Sequence, residues 1–135
     1  MMVDSDCFRK IKHTYGNAQG FLHIKHLAEI LKKSIRSSDL IARYDRDTFM
    51  VILPQTTLEE ARTLGERIKK QVINNPININ GQSITTTVSI GIASYPAQAK
   101  SVKDLVAAVE SALQQASKLG SNQLVAAAKL DNPTD

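Results

Sequence analysis

Ala42-Arg43-Tyr44-Asp45-Arg46-Asp47-Thr48-Phe49-Met50-Val51-Ile52-Leu53-Pro54 is the stretch on which the fold turns. The apolar run Leu40-Ile41-Ala42 is separated from a second one, Phe49 to Leu53, by a short polar knot. That pattern predicts a β-hairpin with both strands largely buried. The tip sits uneasily in it. Two-residue hairpin turns need φ > 0, supplied most cheaply by Gly or Asn; Asp45 tolerates that region moderately and Arg46 gains nothing from it. Carboxylates and a guanidinium crowded between hydrophobic strands make a candidate metal or phosphate site, with a plain solvated turn as the alternative.

Toward the N-terminus, Met1 to Val3 reads as a clipped first strand leading into Asp4-Ser5-Asp6. Cys7, Phe8, Ile11 and Tyr15 fall at helical spacing, and Gly16 to Gly20 breaks the pattern. Phe21, Ile24, Leu27, Ala28, Leu31 and Ile35 then predict a long amphipathic helix ending near Arg36-Ser37-Ser38-Asp39. Beyond the hairpin, Thr57 with Glu60 forms a capping-box pattern ahead of a stripe of Ala61, Leu64, Ile68 and Val72. Ile77 to Asn80 and Ser83 to Ala93 alternate about Gly81-Gln82, predicting a second hairpin. Val102 to Leu119 reads as a helix with Ser101 as its cap and Gly120 as its stop, and Leu124 to Ala126 as a last edge strand. The order β-α-α-β-β-α-β-β-α-β predicts an α/β (α+β) domain over 1–128, a mixed sheet with helices on its faces, and a polar tail or linker stub over 129–135.

At 135 residues with 42% hydrophobic and 22% charged content, the chain can bury one ordinary core. The net charge of +4 is mild, the aromatic fraction is 4% and Trp is absent, which argues against stacking on nucleic acid. The acidic residues directly after Met1-Met2-Val3 speak against a secretory leader, and no apolar run approaches the roughly 18 residues that span a bilayer. With the single Cys7, these features lead us to expect a cytoplasmic domain without membrane contact. His13, His23 and His26 lack a further ligand at zinc spacing and read as surface residues.

The frame Asp4-x-Asp6-x-Phe8-x-x-Ile11, Tyr15-Gly16-x-x-x-Gly20, Arg36-x-x-Asp39-x-x-x-Arg43-Tyr44 and a five-residue tip ending in Phe49 resembles the GGDEF domain of diguanylate cyclases. So do Thr87 to Ala93, and Ala112-Leu113-x-x-Ala116-x-x-x-Gly120-x-Asn122. The resemblance implies that family's mixed, mainly antiparallel sheet, with the motif on a β-hairpin. It also implies the family's reaction, condensation of two GTP molecules to cyclic di-GMP across two facing domains, with Mg²⁺ held against the triphosphate.

Matched residue by residue, Asp4, the carbonyl of Ser5 and Asp47 stand at the family's metal ligands. The tip reads Asp45-Arg46-Asp47-Thr48-Phe49, so both glycines are replaced and Thr48 stands where the family has a glutamate; a neutral hydroxyl neither holds a metal by charge nor acts as a base near pH 7. Arg9 replaces the lysine of the first helix. Lys12 and Phe21 replace the asparagine and aspartate that recognise guanine, and Phe21 is expected to fill part of the vacated pocket. Ser117 and Ser121 replace cationic phosphate contacts, for which the neighbouring Lys118 points the wrong way. At roughly 1.5–3 kcal/mol for each charged hydrogen bond, these losses together predict no cyclase activity.

Arg36, Asp39 and Arg67 match the family's inhibitory site for its product, cyclic di-GMP; an exposed charge pair at a helix end is the alternative. Three readings follow: an inactive regulatory or interaction domain, which we prefer; a cyclic di-GMP receptor; and an active cyclase with a divergent motif. No cofactor is expected to be required, and Mg²⁺ is expected to bind weakly at most. Cyclic di-GMP, an EAL domain in the same chain and a second copy of the domain are the candidate partners.

Overall fold

The computed structural model describes residues 1–130, so the expected tail over 129–135 lies outside the described residues beyond Leu130. The elements are β1 (Met2–Ser5), α1 (Phe8–Tyr15), α2 (Asn17–Ser34), β2 (Leu40–Arg43), β3 (Thr48–Ile52), α3 (Leu58–Asn74), β4 (Ile77–Ile79), β5 (Gln82–Ile84), β6 (Val88–Ile92), α4 (Val102–Leu119) and β7 (Leu124–Ala126). Five strands form one sheet in the order β2-β3-β1-β6-β7, antiparallel except for the parallel pair β6-β7. The expected class, a mixed and mainly antiparallel sheet flanked by helices, is what the chain adopts. Among the described residues, no helix is long and apolar enough to cross a membrane.

Strand alternation divides the core between the two faces of the sheet. Val3, Phe49, Val51, Val88, Ile90 and Ile92 point to one face and pack with Ile24, Leu27 and Leu31 of α2 and Ile68 and Val72 of α3. The opposite face carries Met2, Asp4, Ser89 and Gly91, and there α4 crosses closely: a Cβ at Gly91 would stand 2.5 Å from the Leu113 amide nitrogen and 2.7 Å from the Val109 carbonyl oxygen. α4 covers β6, β7 and part of β1. Met50 and Ile52 of β3 on the same face instead line an apolar groove.

Caps come out as the sequence indicates because they are local. Thr57 Oγ1 accepts the Glu60 amide at 3.1 Å, and Ser101 Oγ accepts the Asp104 amide at 3.1 Å. Four expectations need correction. The break between α1 and α2 is Gly16 alone, at φ 98, a conformation suited to glycine. α2 therefore starts at Asn17, and its buried face is Gly20, His23, Ile24, Leu27, Ile30 and Leu31. Phe21 lies about 100° around the helix from Gly20 and is 61% exposed, so it fills no pocket.

In the central hairpin β3 is largely buried, but β2 is an edge strand with Leu40 61% exposed. The alternating run Ser83 to Ala93 is not one strand. It breaks at Thr85 to Thr87, leaving β4 and β5 as a separate two-stranded sheet and sending β6 into the centre.

Because the backbone of α4 occupies the space above Gly91, Gly91→Ala should destabilise the fold by about 1–3 kcal/mol. Urea denaturation measures this, and an unchanged midpoint would show that α4 is not seated there as tightly as described.

Candidate functional site

The tip closes without any residue at positive φ: outside glycine, the described residues in that region are Gln55, Asn80 and Asn122. A four-residue loop, Tyr44 to Asp47, replaces the two-residue turn. The Tyr44 and Asp45 amides both donate to the Thr48 carbonyl, at 2.9 and 3.2 Å. Arg43 folds its guanidinium under the loop, donating from Nε to the Asp45 carbonyl at 3.3 Å and from NH2 to the Arg46 carbonyl at 2.5 Å. The Tyr44 hydroxyl donates to Glu110 of α4 and ties the start of the loop to that helix. Side chains of the hairpin thus satisfy the loop carbonyls.

Register brings the carboxylates together. Asp4 on β1 lies between Thr48 on β3 and Ser89 on β6, and the Ser5 amide donates to the Asp47 carbonyl at 3.0 Å, which holds Asp47 beside Asp4. Thr48 Oγ1 donates to Asp4 Oδ1 at 3.0 Å. Burial, followed by the nearby Asp47 charge, pushes the Asp4 carboxyl up to about 6, although the Thr48 hydroxyl pulls it back.

The fit of these residues to Mg²⁺ can be judged from their donors. One oxygen of Asp4 is engaged by Thr48. Asp6 accepts from Thr87 Oγ1 and Ser89 Oγ at 2.7 Å each and from the Asn122 amide at 2.8 Å. Among the described residues no three His, Cys, Asp or Glu side chains are grouped around a point where a metal could sit. Asp4, Asp47 and the Ser5 carbonyl are the groups that would hold Mg²⁺, an ion usually bound through one or two carboxylates with waters and substrate phosphates completing its six oxygens.

Beneath the carboxylates, Ser5 is buried and its Oγ lies 2.6 Å from Nε2 of His23. Burial, with a smaller contribution from His26, lowers the His23 imidazole to about 4, so it is neutral near pH 7. His23 is thus no surface residue, contrary to the sequence expectation. The missed signal was its spacing, four residues before Leu27 on the buried stripe. His26 does bond near the surface, with Nε2 2.7 Å from the Asn75 carbonyl oxygen.

Of the positions expected around guanine and phosphate, most lie at the surface. Lys12 Nζ lies 6.0 Å from the Phe8 ring centroid, within reach of a cation–π contact. Arg9, Phe21, Ser117, Lys118 and Ser121 are exposed.

At the end of α2, Arg36 and Asp39 do meet. Asp39 accepts from the Arg36 amide at 2.9 Å, from Nε at 3.4 Å and from NH2 at 3.2 Å. Its side chain is 1% exposed while that of Arg36 is 55% exposed. Burial opposes the charged form of Asp39, but the hydrogen bonds and charge of Arg36 outweigh it and hold the carboxyl below its ordinary value. Arg67 reaches the same helix end, donating to the Ser34 carbonyl at 2.5 Å.

A carboxyl that binds its proton more tightly in the folded chain makes that state lose stability as pH rises from about 3.8 to about 6. Asp4→Asn should therefore stabilise the domain at pH 7.5, by about 1 kcal/mol once solvent screening is allowed for, and should give no gain below pH 4. Urea midpoints at the two pH values test this; an equal effect at both would remove the role assigned to the Asp4 charge.

The family model for the diguanylate cyclase GGDEF domain matches residues 1–123. Diguanylate cyclase A of Treponema denticola is 36% identical over 92% of this chain and 33% of its own length. The cyclic di-GMP phosphodiesterase NbdA of Pseudomonas aeruginosa is 30% identical over 90% of this chain and 16% of its own. The solved GGDEF domain of TpbB (YfiN) from Pseudomonas aeruginosa superposes with a TM-score of 0.88 at 27% identity, covering 94% of this chain and 74% of that one. The chain spans about a third or less of these two full-length relatives.

Proposed function

Because the chain belongs to the GGDEF domain family, we propose that it is a domain of a cyclic di-GMP signalling protein that does not condense GTP and serves as a regulatory or interaction module. The observation that carries this reading is the bond from Thr48 Oγ1 to Asp4 Oδ1. At the position where the resemblance calls for a carboxylate, the chain supplies a donor that uses an acceptor a metal would need. Arg43 adds to this, since its guanidinium engages the Asp45 and Arg46 carbonyls of the tip. The exposure of Phe21 and Ser117 leaves neither base nor phosphate a built partner. A similar stretch within NbdA, a protein named for cyclic di-GMP hydrolysis, agrees with a supporting role beside another catalytic domain. An EAL-type neighbour and a cytoplasmic setting belong to the same proposal, as does a second copy of the domain as an optional partner.

Incubating the purified chain with GTP and Mg²⁺ should yield no cyclic di-GMP by chromatography. Thr48→Glu alone should not restore it, since Lys12, Phe21, Ser117 and Ser121 stay in place. Turnover by the unaltered chain would overturn the reading.

A second reading, a receptor for cyclic di-GMP, draws on the half-exposed Arg36 with Arg67 at the same helix end. Guanidinium groups suit the ligand's phosphates, but the Asp39 oxygens are engaged by Arg36 and are poor acceptors for guanine. On this reading calorimetric titration with cyclic di-GMP gives heat that Arg36→Ala abolishes and Arg67→Ala weakens. No heat from the unaltered chain would sink it.

A further inference from the structure

The five-stranded sheet ends differently at its two edges. β7 is half-buried and touches both α3 and α4, so that edge is partly covered. β2, at the other edge, leaves Leu40, Ala42 and Arg43 exposed. The Tyr44 amide donates to the Thr48 carbonyl at 2.9 Å, and the register of β2 on β3 carries the same alternation back through Ala42 and Leu40. The backbone N–H and C=O groups of Ile41 and Arg43 therefore point away from β3. Among the described residues nothing bonds them.

Native edge strands are commonly guarded by a proline, a bulge or an outward charge. β2 contains no proline and pairs with β3 without a bulge. Its charged residue, Arg43, turns its guanidinium back to the Asp45 and Arg46 carbonyls of its own hairpin tip. The charge that would repel a neighbouring strand is thus drawn in, while two donors and two acceptors stay open. On the α4 face of this edge stand Leu40, Ala42 and Tyr44, all uncharged, with Leu40 61% and Tyr44 50% exposed.

We propose that this edge pairs with the same edge of a second copy of the chain, β2 against β2 in the antiparallel sense about a two-fold axis at Ala42. Ile41 of each copy then faces Arg43 of the other, and the outward groups exchange four hydrogen bonds, using every open donor and acceptor. An axis at Ile41 or at Arg43 would call on the amides of Asp39 or Asp45, which already donate to the Arg36 and Thr48 carbonyls. Ala42 meets Ala42 at the axis, and Leu40 packs on Tyr44 of the second copy, an aliphatic–aromatic pair across strands. The contact is small beside the roughly 800 Å² per partner of a stable interface, so association is reversible and needs high protein concentration. Antiparallel pairing also sends the two hairpin tips to opposite ends of the joined strands. Such a dimer keeps the tips apart, which accords with a module that does not condense GTP, but it stands on the strand edge and not on that reading.

Sedimentation equilibrium and amide exchange of the 135-residue chain test it. From low to high micromolar concentration the average mass should climb from that of one chain toward that of two. Over the same range exchange at the Ile41 and Arg43 amides should slow several-fold, while the Ala42 amide, which already serves β3, keeps its rate. Ala42→Lys sets like charges against each other at the axis and leaves the ladder to β3 intact. It should stay a single chain at every concentration, with the urea midpoint of the unaltered chain. Under air, Ala42→Cys should form a disulfide between the two introduced thiols, told apart from any bond to Cys7 by peptide mapping. Leu40→Cys should not, because the two-fold axis holds its copies about 13 Å apart along the strands. A single-chain mass at all concentrations would overturn the proposal. So would a dimer that survives Ala42→Lys, or one in which Ile41 and Arg43 exchange as fast as in the single chain, since another surface would then make the contact.

Discussion

Three donors converge on the carboxylate of Asp6: the hydroxyls of Thr87 and Ser89, and the amide of Asn122, which lies 116 residues further along the chain. The first two bind the end of β1 to β6. The third seizes the turn after α4, with Asn122 at φ 59, and so starts β7 alongside β6 in the parallel sense. A charged acceptor with three good donors contributes several times the roughly 1 kcal/mol of an ordinary hydrogen bond, and removing the carboxylate would leave those donors without partners. The rest of the sheet depends on this junction, because the register it sets puts Asp4 against Thr48 and Ser89, and Gly91 under α4.

The neighbouring carboxylates face the opposite situation. Asp4 is partly buried with a like charge beside it, and its one hydroxyl donor only partly offsets them, so it holds its proton to about pH 6. Two acidic side chains two residues apart on one short segment thus sit differently: Asp6 receives three donors, and Asp4 lies partly buried beside Asp47. Asp6 is a structural anchor. Asp4 is a partly buried carboxyl to which the Thr48 hydroxyl donates.

What could be read from the sequence was what depends on neighbours in the sequence. The order of helices and strands, apart from the third strand between α3 and α4, the Thr57 and Ser101 caps and the stop at Gly120 all rest on local chemistry. The hairpin was legible as a hairpin, but the exposure of β2 was not, since nothing in Leu40-Ile41-Ala42 tells an edge from a centre. The split of Ser83 to Ala93 was hidden because alternation continues through the threonines while the chain changes sheets. The stripe of α2 was legible in Ile24, Leu27 and Leu31, but that His23 lies on it and Phe21 beside it was not. At the site, the pairing of Arg36 with Asp39 follows from their spacing. The reach of Arg36 to Thr56, of Thr48 to Asp4 and of Asp6 to Asn122 depends on folds of the chain that no window of sequence contains.

The central place of β1 also governs how the molecule must assemble. Both strands that flank it come later in the chain, β3 after two helices and β6 only after α3 and the small sheet. On a ribosome, β1, α1 and α2 emerge with their apolar faces uncovered and no sheet to lie on. Loop closure over such distances is slow, and collapse before it leaves strand edges open to other chains. The domain therefore has no stable first half: a chain interrupted before β6 keeps α1 to α3 but loses α4 and one of the two partners of its middle strand, and becomes a client for chaperones or proteases rather than a smaller version of the fold.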